Sequence, residues 1–434
     1  MKLALKRAYH NPKYSKVIHW GKLISITGSA QLIVQAAGLV TGIMIIRLMP
    51  VNEYAWYVIA NTMLGTMTVL ADSGISAGVT AEGGKVWQDK EQLGKVIATG
   101  LDLRRKFAIL SLIIAVPILL YLLLHNGASW LTASLIAASL IPSFLAALSD
   151  SLLEIVPKLH QDIKPLQKNQ VSVSIGRLIL SALFLFIFPL SFVAILATGV
   201  PRTYGNISLR RISNKFVAPN QKPDKEIRAR IFKVVFRILP NVIYYCISGQ
   251  VTVFLLSILG NTSSIGQIGA LGRITMFLSL LSTIFTTVIT PYFARLKTDF
   301  KVLMAKYVQI LFLTTLVFVL LTIFVYFFPG IFLFILGKKY HNLGNELVLC
   351  VIASCLNLLS GCSFSLTTSR GWVLNPIFGI PMGILSIAIG VSVFDFTKLR
   401  GALDYNIFLQ ATSLTIVTIF CFVKIIQQKK NIAN

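Results

Sequence analysis

The chain is short of acids. Its 40 lysines and arginines face only 15 aspartates and glutamates, a formal charge of +25 over 434 residues. In a soluble protein such an excess would point to nucleic acid. Here the basic residues sit between apolar runs, topology accounts for most of them, and no nucleic-acid partner is expected. Catalytic signatures are missing too. The five histidines are scattered, and there is no metal-spaced cluster, Gly-rich phosphate loop or nucleophile elbow. The reading is therefore a non-enzyme without metal or other cofactor. All five cysteines, Cys246, Cys350, Cys355, Cys362 and Cys421, fall inside apolar runs. They lack zinc-type partners and cannot form an extramembrane disulfide framework, so they read as small core residues. No stretch has the composition of a soluble domain, since 55% of the residues are hydrophobic and mean hydropathy is +0.77.

What the chain has is long apolar runs. Leu23–Met49 and Tyr54–Val79, joined by the turn Pro50–Glu53, each exceed the ~20 residues needed to cross a bilayer and form a hairpin. Met1–Lys22 is basic, and the run after it is too long for a signal peptide, so an uncleaved first helix is expected. Within the first run Thr27, Gln31, Gln35, Gly38 and Gly42 fall on one helical face. Such a stripe should face protein or a water-filled cavity rather than lipid. The Gly38–Gly42 spacing also fits close helix packing. About 210 residues later Arg237, Asn241, Tyr245, Ser248 and Thr252 repeat the pattern, and the turn Ile258–Ser263 matches Leu48–Glu53. Two copies in one order imply two related halves, which usually share a site.

Ten further spans are expected at 107–125, 129–153, 171–189, 190–212, 232–258, 264–290, 303–328, 345–366, 373–396 and 404–426. The expected fold class is an all-α integral membrane protein of about 12 transmembrane helices in two pseudo-repeated six-helix lobes. Counted with the N-terminus inside, inward segments hold 31 lysines and arginines and outward loops hold four, placing both termini in the cytoplasm. Trp20, Trp56, Trp130 and Trp372 at span ends agree. The longest polar segment, Ser213–Arg230, divides the chain into lobes 1–212 and 231–434 with a cytoplasmic linker at 213–230. The longest outward loop, Pro329–Gly344, is too small for a membrane enzyme acting on external glycans.

Five arginines remain inside spans: Arg47, Arg177, Arg202, Arg237 and Arg273. A charge within a span generally faces a bundle interior or a pathway. Asp72 and Asp150, with Asp395 near an outer end, are fewer, so the interior reads as net cationic, suited to a phosphate or another anion. Snorkelling is the alternative for Arg47 and Arg237. Arg202, just after Pro201, and Arg273 read as cavity-lining, and Arg177 could pair with Asp150. Asp72 reads as an ion-pair partner, with a proton-coupling role as the alternative.

Ile46-Arg47-Leu48-Met49-Pro50-Val51-Asn52-Glu53-Tyr54-Ala55-Trp56-Tyr57 resembles the signature of bacterial polysaccharide flippases, an arginine-leucine-leucine-glycine-proline run followed by glutamate-tyrosine-glycine. Leu70-Ala71-Asp72-Ser73-Gly74-Ile75 resembles the second element of that signature, although Met49 and Ala55 stand where the family has glycines. The resemblance implies a V-shaped, MATE-like pair of lobes. It also implies translocation of an undecaprenyl-diphosphate-linked oligosaccharide to the outer leaflet of a bacterial inner membrane. The site candidates are then Arg47, Arg177, Arg202, Arg237, Arg273, Gln31, Gln35, Asn241 and Tyr245, with Asp72 and Asp150 for coupling or ion pairing. Expected partners are the anionic lipid-linked glycan, membrane lipid, a proton or sodium as coupling ion, and a glycan polymerase and glycosyltransferases. The rivals are a multidrug or organic-cation antiporter of the same fold and a non-transporting scaffold.

Overall fold

The computed structural model describes residues 12–275, 278, 285, 289–290, 293, 296, 300–370, 372 and 374–433. Side chains are described from Thr27 to Gln427 within those ranges, Asn241, Tyr245 and Ile247 excepted. Every regular element among the described residues is a helix. In chain order they are α1 (Pro12–Leu48), α2 (Val51–Asp72), α3 (Ile75–Lys85), α4 (Lys90–His125), α5 (Trp130–Leu153), α6 (Ile155–Leu159), α7 (Ile163–Ile187) and α8 (Ser191–Ser213). Then come α9 (Lys225–Ser248), α10 (Val251–Leu259), α11 (Thr262–Thr275), α12 (Phe300–Phe327), α13 (Pro329–Leu336), α14 (Gly344–Ser369), α15 (Pro376–Val393) and α16 (Leu399–Ala433). Eight helices among the described residues are long and apolar enough to cross a membrane alone, and nine if the bent pair α2–α3 is one span. The remaining expected spans fall on α8, which carries arginines, on the broken pair α9–α10, and on α11.

The internal repeat is visible in the helix boundaries. Leu48 and Leu259 end helices 211 positions apart, and Val51 and Thr262 begin the next ones at the same offset. The packing repeats as well: α5 lies against α8 in the first half, and their counterparts α14 and α16 lie together in the second. The second copy of the polar stripe is not one helix. It breaks at Gly249–Gln250, and Thr252 falls on α10, where its hydroxyl donates to Asn406 Oδ1 at 2.6 Å. Of the Gly38–Gly42 pair, Gly38 makes no close approach, since a Cβ there would meet nothing within 4 Å. Helices do come close between α5, α7 and α8, where Gly199 abuts Ser143 and Gly205 abuts Val173.

The bend between α2 and α3 has a local cause. Ser73 (φ 42°) and Gly74 (φ 87°) are both left-handed, which interrupts the helical hydrogen bonds and turns the axis by 44°. Asp72 then caps α3, its Oδ1 accepting from Ser76 N–H at 3.2 Å and Ser76 Oγ at 2.7 Å. Gly74 is required twice over, because a Cβ there would also stand 3.1 Å from Ile238.

The chain forms two compact units: Met1–Glu53, Ala60–Leu124 and Ala128–Cys246 make the first, and Tyr54–Ile59, His125–Gly127 and Ile247–Asn434 the second. The polar segment 213–230 therefore belongs wholly to the first unit, together with α9 up to Cys246. It is strapped down along its length. Ala218 N–H donates to Lys90 O at 2.9 Å, Asp224 N–H to Thr99 Oγ1 at 2.9 Å, and Arg228 pairs with Asp102 at 2.7 Å. Beneath it Ile227, Ile231 and Val235 join Ile75, Val79, Val96, Ile97 and Leu152 in a closed apolar cluster. Glycines let the strap lie this close: a Cβ on Gly78 would stand 3.0 Å from Ile231, and one on Gly94 2.7 Å from Gln221.

Asp224 starts α9. Its Oδ1 accepts from Glu226 N–H at 2.8 Å and Ile227 N–H at 2.9 Å, satisfying two of the amides a helix start leaves open. The Ile227 and Glu226 amides hold its carboxyl below the usual carboxylate range. A depressed carboxyl stabilises the folded state fully above its ordinary range and loses that effect as pH falls through its lowered value. Asp224→Ala should therefore speed amide exchange at Ile227–Ile231 at neutral pH, and the difference from wild type should close under strongly acid conditions. Equal protection at neutral pH would remove Asp224 as the cap.

Candidate functional site

The first unit contains a polar cavity of about 260 Å³ between α1, α5, α7 and α8. Its wall includes Gln31, Asp150, Glu154, Asn169, Gln170, Arg177 and Arg202. Three of the expected site residues, Gln31, Arg177 and Arg202, thus meet there with Asp150. With a water's share of liquid volume at about 30 Å³, the space holds several waters or a small polar group.

Two chains of contacts line it. Gln31 Nε2 donates to Gln170 Oε1 at 2.9 Å and Gln167 Oε1 at 3.3 Å, and Gln170 Nε2 donates to Glu154 Oε1 at 3.2 Å. Glu154 also holds Lys158 at 2.7 Å. On the other side Arg202 Nε donates to Asp150 Oδ2 at 3.0 Å, while Asn206 Nδ2 donates to Asp150 Oδ1 at 2.6 Å. Asp150 and Arg177 each have a partner of their own among the described residues. Asp150 is taken by Arg202 and Asn206, and Arg177 Nε donates to the Thr198 carbonyl at 3.1 Å. That carbonyl lies on α8, three residues before Pro201.

Asp72 has a partner, and it is a different arginine. Arg104 pairs with it and donates to Ser76 Oγ at 2.8 Å, to Ser151 Oγ and to the Leu148 carbonyl. Arg104 is only 3% exposed. It lies on a helix and not in the expected loop 81–106, because α4 begins at Lys90 rather than near 107. Its Nε is buried without a hydrogen bond, so the site already carries one unmet donor.

The other candidates are spread out. Gln35 and Arg47 are exposed on α1, and Arg237 is exposed on α9. Arg237 has no ion pair among the described residues. Arg273 lies in the second unit against the hydroxyls of Tyr54 and Tyr57. The buried Tyr54 hydroxyl makes no hydrogen bond of ordinary geometry, and Arg273, Tyr57 and Tyr340 are polar groups around it. The side chains of Asn241 and Tyr245 lie outside the described residues. Sequence reading missed Glu154, Asn169, Gln170 and Asn206. The available signal was the four-then-three spacing of Gln170, Ser174 and Arg177, which puts the polar face of α7 before residue 171, where its apolar run begins. Glu53, in the quoted motif, serves the fold: its Oε2 accepts from Ser191 N–H at 2.7 Å and so anchors the start of α8.

No family profile and no curated protein matches the chain. Solved structures do. It aligns with the inward-facing conformation of a multidrug resistance MATE family transporter of the MOP superfamily at TM-score 0.67 and 15% identity, covering 92% of this chain and 96% of that one. The outward-facing conformation of such a transporter gives 0.59 and 15%, covering 98% of each chain. A eukaryotic MATE transporter gives 0.54 and 17%, covering 96% and 99%. The fold is therefore the two-lobed MATE transporter fold, at a length that spans nearly all of each neighbour.

Breaking a buried ion pair on one side leaves an uncompensated charge, at a cost of about 3–5 kcal/mol. Asp72→Asn should accordingly lower the melting temperature of the purified protein, and Asp72→Asn with Arg104→Met should recover most of the loss. An Asp72→Asn protein that melts like wild type would leave Asp72 to a coupling role.

Proposed function

We propose that the chain exports an anionic lipid-linked oligosaccharide, its head joined to undecaprenol through a diphosphate, from the inner to the outer leaflet of a bacterial cytoplasmic membrane. The neighbours' transporter fold supports an exporter working by alternating access. The observation that carries the substrate class is the charge inside the spans. Arg47, Arg177, Arg202, Arg237 and Arg273 on the expected spans outnumber Asp72, Asp150 and Asp395, and Arg104 and Glu154 at the span margins add one charge of each sign. Asp72 is committed to Arg104, Asp150 to Arg202, and Glu154 to Lys158 and Gln170. A net positive interior favours a diphosphate over an organic cation, and guanidinium groups pair two phosphate oxygens at once. The prenyl chain would remain in lipid while the head is sheltered. An inside-negative potential assists anion exit by about 2.3 kcal/mol per charge per 100 mV.

A second reading keeps the role of the neighbours, multidrug transport. Asp150 and Glu154 on the cavity wall favour it, since a cationic drug or a coupling ion needs carboxylates. Both carboxylates already hold a cation, however, so a cationic substrate would have to displace it.

Binding separates the two. Purified protein should bind undecaprenyl diphosphate and not ethidium. Arg202→Ala and Arg177→Ala should each weaken that binding about tenfold or more, the value of a charge-assisted hydrogen bond of ~1.5–3 kcal/mol. Ethidium binding that both variants leave intact, without lipid binding, would favour the antiporter.

A further inference from the structure

The polar cavity lies wholly in the first unit, and the ion pair on its wall is unequal. Arg202 gives Asp150 only its Nε proton, at 3.0 Å. A guanidinium carries further donors on both terminal nitrogens. Those of Arg202 meet no acceptor among the described residues. The side chain is 30% exposed on a wall of the cavity, so a ligand there can reach them.

Asp150, by contrast, has partners to spare. Asn206, one helical turn beyond Arg202 on α8, donates to its other oxygen, Oδ1, at 2.6 Å. Asn206 is itself anchored, with Ser149 Oγ at 2.6 Å and the Ala146 carbonyl at 3.3 Å. Arg104 adds a second positive charge within electrostatic reach from α4. A carboxylate left without partners inside a protein is costly. This one keeps a hydrogen bond and a counter-charge even when Arg202 turns away. Glu154 is committed differently, its two oxygens going to Lys158 and Gln170 and neither to an arginine.

A phosphate entering the cavity would take the open terminal nitrogens of Arg202 and stand close to Asp150, whose charge repels it. We infer that Asp150 is a release group. It competes with the phosphate for Arg202 and keeps affinity low enough for the head to leave, while Asn206 holds it in waiting whenever the phosphate is bound. A site that only attracts would retain its cargo, and passage needs binding weak enough to be left. The inference rests on the anionic-lipid reading proposed above. It makes Asp150 a positioning residue that acts through Arg202.

Calorimetric titration of the purified full chain with inorganic pyrophosphate and with undecaprenyl diphosphate tests it, alongside flipping of a fluorescent polyprenyl-diphosphate sugar in proteoliposomes. Asp150→Asn should bind both ligands about tenfold tighter than wild type, the effect of removing a like charge close to the anion. It should flip lipid more slowly at saturation yet half-saturate at lower lipid, a split that a merely structural change does not produce. Asp150→Glu, which keeps the charge, should bind within about threefold of wild type. Asn206→Leu should act in the opposite direction, leaving Asp150 wholly to Arg202 and weakening binding about threefold. Binding at or below wild-type strength by a folded Asp150→Asn protein overturns the release role. Should that variant fail to fold, unchanged or tighter binding in Asn206→Leu overturns it instead. A wild-type chain that binds neither ligand sinks the anionic-lipid reading and this inference together. A wild-type chain that binds, with no gain in Asp150→Asn, sinks the release role alone.

Discussion

A polar group carried into the apolar phase must find its partner within the protein, because no bulk water accompanies it there. This constraint explains most of the structure's particular contacts. Where left-handed Ser73 and Gly74 break the second span, Asp72 satisfies the next helix start and pairs with Arg104, and Arg104 in turn reaches α5 through Leu148 and Ser151. A single bend thereby ties three spans together. Where α10 ends, Asn126 from a distant turn supplies the missing donor. Where α8 begins, Glu53 supplies the acceptor for Ser191 N–H.

The same constraint produces the cavity. Polar groups from α1, α5, α7 and α8 satisfy one another around a space rather than closing on it, because amides and guanidinium groups carry more donors than their neighbours can accept. Arg202 gives one nitrogen to Asp150, and Asn169 gives its amide to the Gly205 carbonyl at 3.1 Å. Glycines at 199 and 205 let α8 approach α5 and α7 closely enough for those short side chains to meet. Packing and polar chemistry are therefore one design here, and a bulkier residue at either glycine would separate the groups that line the site.

Much of this was legible in the chain, for physical reasons. Apolar run length registers the spans directly, and the repeated turns Leu48–Glu53 and Ile258–Ser263 fall on helix boundaries because Pro50 and Asn52 punctuate one copy and Gly260 and Asn261 the other. Gln31, Arg177 and Arg202 were readable as interior because polar residues on an apolar face cannot point to lipid. Hydropathy could not reveal where a helix continues past its apolar run. Arg104 looked like a loop residue, and Gln170 like the end of a loop, because α4 and α7 extend well beyond their greasy segments. The break at Gly249–Gln250 was passed over because the apolar residues on its two sides together have the length of one span, and the strap was hidden by its polar composition. Pairings such as Arg202 with Asp150 depend on helix rotation, which periodicity does not set finely enough.

The central claim is that this two-lobed transporter fold carries an anionic lipid head. The most direct measurement is flipping in proteoliposomes containing the purified chain and a fluorescent polyprenyl-diphosphate sugar, with an impermeant quencher reporting the leaflet. The account predicts protein-dependent movement of the lipid between leaflets, slowed in Arg202→Ala at equal protein incorporation. Transport of an organic cation by the same vesicles, with the diphosphate lipid left in place, would contradict it.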